Sequence, residues 1–153
     1  MSGVAESFDT RVAAYAVIIR NGSILLSHWR DHGYSGWTLP GGGLEVREDA
    51  PAAVVREVRE ETGYIVEPGE LLGVDSIFIE PEHRFPGQSR NLLHALRIIY
   101  RARVLSGTLT HELDGSTDEA AWVPLDRVPE LGPTPLVQAG LKLAAIRTPV
   151  RSE

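Results

Sequence analysis

The sequence predicts one α/β domain in which helices cover a β-sheet. Two observations predict this fold class: β-rich apolar runs are mixed with two main helical segments, and no linker or internal repeat divides the 153 residues. The length matches the usual size of a single domain, roughly 100–200 residues, and gives a core that needs no disulfides. The chain contains no cysteine. We therefore expect one domain over residues 1–153, with residues 1–10 as a flexible N-terminal segment.

The first predicted elements are two strands that form a hairpin. Apolar runs over residues 12–19 and 23–28 flank Asn21 and Gly22, a dipeptide that is a strong signal for a two-residue hairpin turn. Glycine, proline and polar residues mark the later loops and turns. The other expected elements are loops over 30–36, 80–91 and 105–116, strands over 37–39, 71–79, 93–104 and 119–124, and a tight glycine turn over 40–43.

Two segments carry helix signals. Residues 49–62 begin with Asp49 as a plausible N-cap and end before Gly63, a residue suited to a helix C-terminus. A second helix opens with Thr134 followed by Pro135 and extends to about residue 146. Its apolar residues fall on one side, so we expect that side to pack on the body of the domain.

The charge and hydropathy of the chain exclude several classes of protein. Its net charge is −6 and its pI is about 5.4, which argues against a nucleic-acid polymer as partner because such a surface needs a basic field. Small phosphorylated substrates stay compatible with this charge, since metal ions can supply the positive charge. No apolar run approaches the roughly 18 residues of a membrane span, and residues 1–10 lack the features of a signal peptide. We therefore expect a cytoplasmic protein without a membrane partner.

The predicted helix over 49–62 carries a cluster of carboxylates. Glu57, Glu60 and Glu61 stand at i, i+3 and i+4, so they fall within about a 100° arc of the helix. Val54 and Val58 lie beside that arc, which places the carboxylates at the border of the buried stripe. Like charges at this spacing repel one another, and partial burial increases the cost. Something positive should therefore compensate them.

A hard divalent cation is the natural candidate. Mg²⁺ binds carboxylate oxygens and usually shares its coordination shell with water and substrate phosphates. The glycine turn over 40–43 precedes the helix, and glycine allows the backbone to approach a ligand and present a carbonyl to a metal. Glu45 and Glu48 lie on the loop between the turn and the helix. Arg56 and Arg59 lie mainly on another face, so we expect them to compensate the charge only in part.

Residues 42–64 resemble the Nudix box, Gly-x5-Glu-x7-Arg-Glu-U-x-Glu-Glu-x-Gly-U, in which U is a bulky apolar residue. The chance of such a match is on the order of 10⁻⁸ per starting position at ordinary amino-acid frequencies. Glu45 matches a glutamate often found inside the box, whereas Arg47 stands where a glycine is common, which we expect to affect the shape of the loop. The specified positions are filled by Gly42, Glu48, Arg56, Glu57, Val58, Glu60, Glu61, Gly63 and Tyr64.

The resemblance implies a Nudix fold, an α/β/α sandwich with a mixed central β-sheet. It also implies hydrolysis of a nucleoside diphosphate linked to another moiety. In the family, residues that match Glu57, Glu60 and Glu61 hold Mg²⁺ or Mn²⁺, helped by a backbone carbonyl near Gly41 or Gly42. The cofactor expected from the resemblance is therefore Mg²⁺ or Mn²⁺, and the expected partner is a small nucleotide substrate.

The resemblance further implies roles in the reaction itself. Arg56 orients the loop through Glu48 or Glu45, water attacks phosphorus in line, and a carboxylate takes the proton of that water. The candidates for this base are Glu60 and Glu61 within the box and Glu80 and Glu119 outside it.

Substrate contacts are expected in the loops and strand ends beside the box, where aromatic and basic side chains can stack a base and hold phosphate. Pro81 lies 17 residues beyond Tyr64, out of register with the proline typical of ADP-ribose hydrolases in the family. ADP-ribose, nucleotide sugars, dinucleotides and normal or oxidised nucleoside triphosphates all stay open as substrates. The predicted substrate contacts are Tyr34, Trp37, Phe78, Arg84 and Arg90, drawn from a set that also includes His32, His83 and Phe85.

A non-catalytic Nudix-fold sensor that binds a nucleotide is the main alternative to an enzyme. Such proteins usually carry degraded boxes, whereas this box is intact. A prenyl diphosphate isomerase on the same fold normally needs a cysteine in its site, and this chain has none. A homodimer is common in the family, so self-association is a further expectation that comes from the resemblance alone.

Overall fold

The computed structural model describes residues 6–110 and 117–145 as two β-sheets with helices packed against them. Two short 3-10 segments, Pro81–His83 and Leu125–Leu131, follow β-strands. In chain order the strands are β1 (Phe8–Val17), β2 (Ile19–Arg20), β3 (Ser23–Asp31), β4 (Tyr34–Thr38), β5 (Gly41–Gly43), β6 (Tyr64–Ile79), β7 (Leu92–Gly107) and β8 (Thr117–Pro124), and the helices are α1 (Ala50–Thr62) and α2 (Pro135–Leu143).

The first sheet is mixed and has the strand order β5-β1-β7-β6. Strands β1 and β7 run parallel, with Ala13 opposite Arg97, whereas β5 pairs with β1 and β6 pairs with β7 in antiparallel. In the second sheet β3 pairs in antiparallel with β2, β4 and β8. Asn21 and Gly22 both have positive φ, as the predicted hairpin turn between β2 and β3 requires.

Two apolar cores lie on opposite sides of these strands. Leu25 belongs to the core beneath α1, whereas its neighbours Ile24 and Leu26 belong to the core beneath α2, because successive side chains of a strand point to opposite faces. The small residues Ala14 and Ala16 of β1 contribute to the α1 core and let the helix pack close to the sheet. The arrangement is an α/β/α sandwich with a mixed sheet, which confirms the predicted fold.

Helix α1 has the ends that the sequence predicts. The Asp49 side chain caps it by accepting a hydrogen bond of 2.9 Å from the backbone N–H of Ala52. Gly63 ends it in the left-handed conformation with φ of 82°, and a Cβ there would lie 2.3 Å from the carbonyl oxygen of Thr108. Among the described residues no helix is long and apolar enough to cross a membrane.

The structure corrects several predicted boundaries. The expected turn over 40–43 is wrong in part, because Gly41–Gly43 forms an edge strand that pairs with β1. The expected loop over 30–36 is a continuation of the hairpin formed by β3 and β4. Residues 8–10 of the expected flexible segment pair with β7 as part of β1. Strand β6 begins directly after α1 instead of at residue 71. Helix α2 ends at Leu143, before its predicted end near residue 146, and residue 146 itself lies outside the described ranges.

Truncation of Leu39 tests the core beneath α2. Leu39 is fully buried and immediately precedes Pro40, whose carbonyl oxygen accepts a hydrogen bond from Ala16. We expect Leu39→Ala to lower the free energy of unfolding by about 2–5 kcal/mol, because it leaves a cavity in the core. Denaturant unfolding measures this loss, and Val46→Ala is the matched control because Val46 is 92% exposed. A loss no larger than the control's would contradict the packing described for Leu39.

Candidate active site

A cleft of about 460 Å³ opens where β1, β5 and the second half of α1 meet. Its walls combine carboxylates, glycine backbone, arginine and aromatic side chains. Glu57 and Glu61 line it from α1, and the three glycines of β5 line it from the sheet. The remaining lining residues are Arg11, Tyr15, Trp29, Asp31, Thr38, Phe85, Arg97, Thr134 and Leu136.

The glycines of β5 leave room for the carboxylates of α1. A Cβ at Gly42 would lie 2.7 Å from the nearer carboxylate oxygen of Glu57, closer than real side chains approach. A Cβ at Gly41 would lie 2.2 Å from the carbonyl oxygen of Ala14, and its φ of 149° is also one that favours glycine. The glycine run is therefore required by the close contact between β5, β1 and the helix.

The ladder between β1 and β5 directs the backbone of Gly41 into the site. Hydrogen bonds from Ala16 to Pro40 and from Leu44 to Val12 fix the alternation of the antiparallel pair. By that alternation Gly42 exchanges its bonds with β1, whereas the N–H and C=O of Gly41 point away from β1. The N–H of Gly41 accordingly donates to Glu61. Of the two carbonyls predicted for a metal, that of Gly41 is therefore the one that does not bond to β1.

Glu61 is the most deeply buried carboxylate of the cluster, with 8% of the residue exposed. One of its oxygens accepts a hydrogen bond of 3.0 Å from the N–H of Gly41 and one of 3.4 Å from the hydroxyl of Ser27. Both donors are neutral and come from the two different sheets. The carboxylate therefore sits at the junction of the sheets, held by hydrogen bonds in place of bulk water.

Glu57 lies beside Glu61 on the cleft wall, and its side chain is 18% exposed. Burial raises the pKa of Glu57, because removal from water penalises the charged form, and the neighbouring Arg56 opposes that rise. The Nη1 atom of Arg56 lies 2.9 Å from a carboxylate oxygen of Glu57. The charge of Glu57 is thus only partly compensated by the protein itself.

Arg56 joins the loop before α1 to the carboxylate cluster. Its guanidinium forms a two-pronged bond with Glu48, at 2.7 Å from Nε and 2.8 Å from Nη2, and it also donates to the carbonyl oxygen of Gly43 at 3.1 Å. Hydrogen bonding from Arg56 lowers the pKa of Glu48 to about 2, with a smaller contribution from the backbone of Glu45. The contact with Glu48 is much closer than that with Glu45, at 3.5 Å. The expectation that Arg56 lies on another face is corrected in part, because its long side chain reaches Glu57.

Glu60 differs from the other two glutamates of the helix. Its side chain is 48% exposed and contacts Arg56 at 3.3 Å, and it lines a separate surface cavity with Arg59 and Ile65 instead of the cleft. Among the described residues the side chains do not form a ready-made group of three metal-binding carboxylates or histidines. The structure therefore brings together Glu57, Glu61 and the backbone of Gly41 in the cleft, whereas Glu60 lies outside the cleft.

Comparisons with known proteins agree with this geometry. A family model described as the NUDIX domain matches residues 9–143, most of the chain. The chain belongs to the Nudix family. A solved Nudix hydrolase from Nitrosomonas europaea superposes with a TM-score of 0.75 at 27% identity, and the match covers 93% of this chain and 94% of that one.

Two curated relatives are similar over part of their length. The ADP-ribose pyrophosphatase of Methanocaldococcus jannaschii is 34% identical over 121 residues, which are 78% of this chain and 65% of that protein. The YjhB protein of Bacillus subtilis is 37% identical over 98 residues, which are 63% of this chain and 43% of that protein. The chain thus spans between about two fifths and two thirds of these relatives.

Arg47 occupies the position of the Nudix box at which glycine is common. Its φ is 62°, in the left-handed region that glycine adopts without strain. Arg47 thus adopts a backbone conformation that ordinarily favours glycine, and its effect on the shape of the loop stays a prediction. The next residue, Glu48, accepts the two hydrogen bonds from the Arg56 guanidinium.

The five predicted substrate contacts do not converge on the Nudix cleft. Trp37 packs against the core beneath α2 and against His28, and Phe78 is exposed and contacts His94. Tyr34 and Arg84 line a neighbouring cavity of about 780 Å³ that shares Trp29 and Phe85 with the cleft. Arg90 is exposed and lines neither cavity.

Arg84 ties the loop over 80–91 to the sheet. It donates to the carboxylate of Asp9 at the start of β1 and to the backbone carbonyl oxygen of Asn91. Hydrogen bonds from Ser89, Arg84 and Asn91 lower the pKa of Asp9 to about 2. In the same loop Phe85 stacks on His32 with ring centres 4.4 Å apart. The role of Arg84 seen here is to anchor the loop that places Phe85 at the cleft.

Sequence analysis missed several residues that line the Nudix cleft. Arg11 and Tyr15 have their side chains on the same face of β1 because they are four residues apart, and Arg97 joins that face because it lies opposite Ala13 on β7. The alternation in β1 is visible in the sequence, but the pairing of β1 with β7 is not. Trp29 and Asp31 reach the cleft from the end of β3, which extends beyond the predicted strand end at residue 28 because it pairs with β4.

The low pKa of Glu48 gives a pH-dependence that can be measured. A carboxylate with a pKa near 2 in the folded state, below its ordinary value of 4.5, stabilises the fold fully above pH 4.5 and loses that effect as the pH falls toward 2. We therefore expect Glu48→Gln to be less stable than the parent protein at neutral pH and to approach it as the pH drops through this window. Denaturant unfolding at a series of pH values measures the difference. Glu130→Gln, which removes an exposed carboxylate, is the matched control, and a constant gap between parent and Glu48→Gln would contradict the assignment.

Proposed function

We propose that this protein is a divalent-metal-dependent hydrolase of the diphosphate linkage in a nucleoside diphosphate derivative. The observation that carries the proposal is the cleft that Glu57 and Glu61, from a complete Nudix box, line together with the backbone of Gly41. The family supports hydrolysis as the reaction class, and the relative from Methanocaldococcus jannaschii is named as an ADP-ribose pyrophosphatase. ADP-ribose is therefore the first substrate to test.

The residues of the cleft suit a hard cation. Glu57 and Glu61 offer carboxylate oxygens and Gly41 offers a carbonyl, which are the donors that Mg²⁺ and Mn²⁺ accept in proteins. Burial raises the pKa of Glu57, which is consistent with a carboxylate whose charge a bound cation would compensate. Glu60 is a further predicted ligand, and its contact with Arg56 leaves it close to the other two. When bound, the metal would neutralise the diphosphate and lower the pKa of a bound water.

The residues of the chain then bind, orient and move a proton. Water attacks phosphorus in line with the leaving oxygen, the bond from phosphorus to that oxygen breaks, and a carboxylate takes the proton of the attacking water. Of the four predicted bases, only Glu61 lines the cleft in this structure, which supports it over Glu60, Glu80 and Glu119. Arg56 and Glu48 act as positioning residues, since they hold the loop and Glu57 in place.

Removal of either cleft carboxylate tests the function. We expect Glu57→Gln and Glu61→Gln each to lower kcat by about 100-fold or more, because both remove a charge proposed to hold the metal. The assay is release of nucleoside monophosphate or phosphate from ADP-ribose, nucleotide sugars, dinucleoside polyphosphates and normal and oxidised nucleoside triphosphates, with Mg²⁺, Mn²⁺ or EDTA. Glu67→Gln is the matched control, because Glu67 is exposed on β6 and pairs with Arg103 away from the cleft.

Three outcomes separate the alternatives. Activity that requires metal and is lost in both variants supports the enzyme and identifies its substrate class. Full activity of Glu61→Gln would refute the assignment of that residue. Folded parent protein that binds Mn²⁺ and nucleotide without turnover on any member of the panel would favour the nucleotide sensor.

A further inference from the structure

Arg11 is a cation of the cleft that the proposed reaction leaves without a role. The other two arginines near the carboxylates are engaged, since Arg97 forms an ion pair with Asp75 and Arg56 is surrounded by Glu48 and Glu57. Arg11 has neither a hydrogen bond nor an ion pair with any residue in 6–110 or 117–145, although it lines the cleft. Its donors are therefore available to a ligand.

The position of the Arg11 side chain is set by the glycine strand. A Cβ built on Gly43 would lie 3.4 Å from Nη2 of Arg11 and 3.7 Å from its Cζ, so the guanidinium lies along the backbone of β5. Ala13, two residues after Arg11, pairs with Gly43 across the ladder, which puts both on the same face of the sheet. The guanidinium thus lies beside β5 at the cleft, although Arg11 as a whole is exposed to solvent.

The cleft consequently has two differently charged sides. Glu57 and Glu61 form the acidic side, where the metal is proposed to bind, and Arg11 supplies a positive charge on the side of β1. A diphosphate carries charge on both of its phosphates, so a cation at the glutamates leaves the second phosphate to be compensated. The planar fork of a guanidinium matches two oxygens of one phosphate.

We propose that Arg11 binds the second phosphate of the substrate, the one farther from Glu57 and Glu61, and so selects ligands that carry phosphate at that position. This inference rests on the proposed function for the identity of the substrate. Its physical content, a phosphate-binding arginine on β1, can be tested without turnover.

The test is equilibrium binding of ADP in EDTA, measured by calorimetry, with adenosine as the matched ligand that lacks phosphate. We expect Arg11→Gln to weaken ADP binding by about 10- to 100-fold, the range that follows from losing a charge-assisted hydrogen bond, and to leave adenosine binding unchanged. The ADP affinity of Arg11→Lys should fall between those of the parent protein and Arg11→Gln, because lysine keeps the charge and loses the planar fork of the guanidinium. Arg127→Gln, an exposed arginine on Leu125–Leu131, is the control and should bind ADP like the parent protein.

Stability and kinetics complete the design. Equal thermal midpoints for parent and Arg11→Gln are expected, since the side chain has no hydrogen-bond or ion-pair partner in the part of the chain that the structure describes, and they exclude a folding defect. In turnover of the substrate identified by the panel, Arg11→Gln should raise KM by the same factor and change kcat less. Equal ADP affinity of parent and Arg11→Gln, including undetectable binding by both, overturns the proposal, as does a parallel loss of adenosine affinity.

The two proposals fail in different ways. If the parent protein hydrolyses its substrate and Arg11→Gln matches it in KM and in ADP affinity, the role of Arg11 is refuted and the enzyme stands. If no member of the panel is hydrolysed but ADP binding depends on Arg11, the hydrolase is refuted and the phosphate-binding role stands.

Discussion

The site depends on one contact, the fork between Arg56 and Glu48. It joins the loop that precedes α1 to the middle of that helix, and the same guanidinium also contacts Glu57 and the carbonyl oxygen of Gly43. Without this cation, Glu48 and Glu57 would be neighbouring carboxylates with no shared positive charge, and both are largely buried. Because the guanidinium is planar and rigid, it fixes directions as well as charge. Helix, loop and glycine strand are therefore held in one arrangement before any ligand binds.

The backbone around this contact can pack closely because β5 and β1 carry glycine and alanine there. Gly41 and Gly42 let β5 lie against β1 on one side and against Glu57 on the other, where any Cβ would overlap with its neighbours. Ala14 and Ala16 keep β1 thin enough for α1 to pack closely on it. The carboxylates can therefore reach the edge of the sheet while Val54 and Val58 of the same helix stay fully buried. Helix α1 therefore supplies both the carboxylates of the cleft and the apolar side chains of the core.

Sequence reasoning predicted the parts of this structure that are local. The N-cap at Asp49 and the end of α1 at Gly63 depend only on helix geometry, and they are confirmed. Of the predicted arc of Glu57, Glu60 and Glu61, the first and the last line the cleft and Glu60 does not. Sequence reasoning failed where a contact joins distant segments. The strand Gly41–Gly43 exists only because β1 lies beside it, and Arg97 reaches the cleft only because β7 runs parallel to β1. Aromatic and basic residues near the box were chosen for their chemistry alone, so Phe78 and Arg90 were included while Arg11 and Trp29 were missed.

The raised pKa of Glu57 links the stability of the fold to its proposed ligand. A carboxylate whose pKa is higher in the folded than in the unfolded state favours folding at low pH and loses that advantage as the pH rises through its folded-state pKa. At neutral pH its charge therefore destabilises the folded protein without metal. A cation that binds only the folded state restores stability by an amount that grows with the logarithm of its concentration relative to Kd. The feature that makes the metal-free site less stable is thus the one that gives it affinity for a metal, and a better compensated glutamate would bind that metal less well.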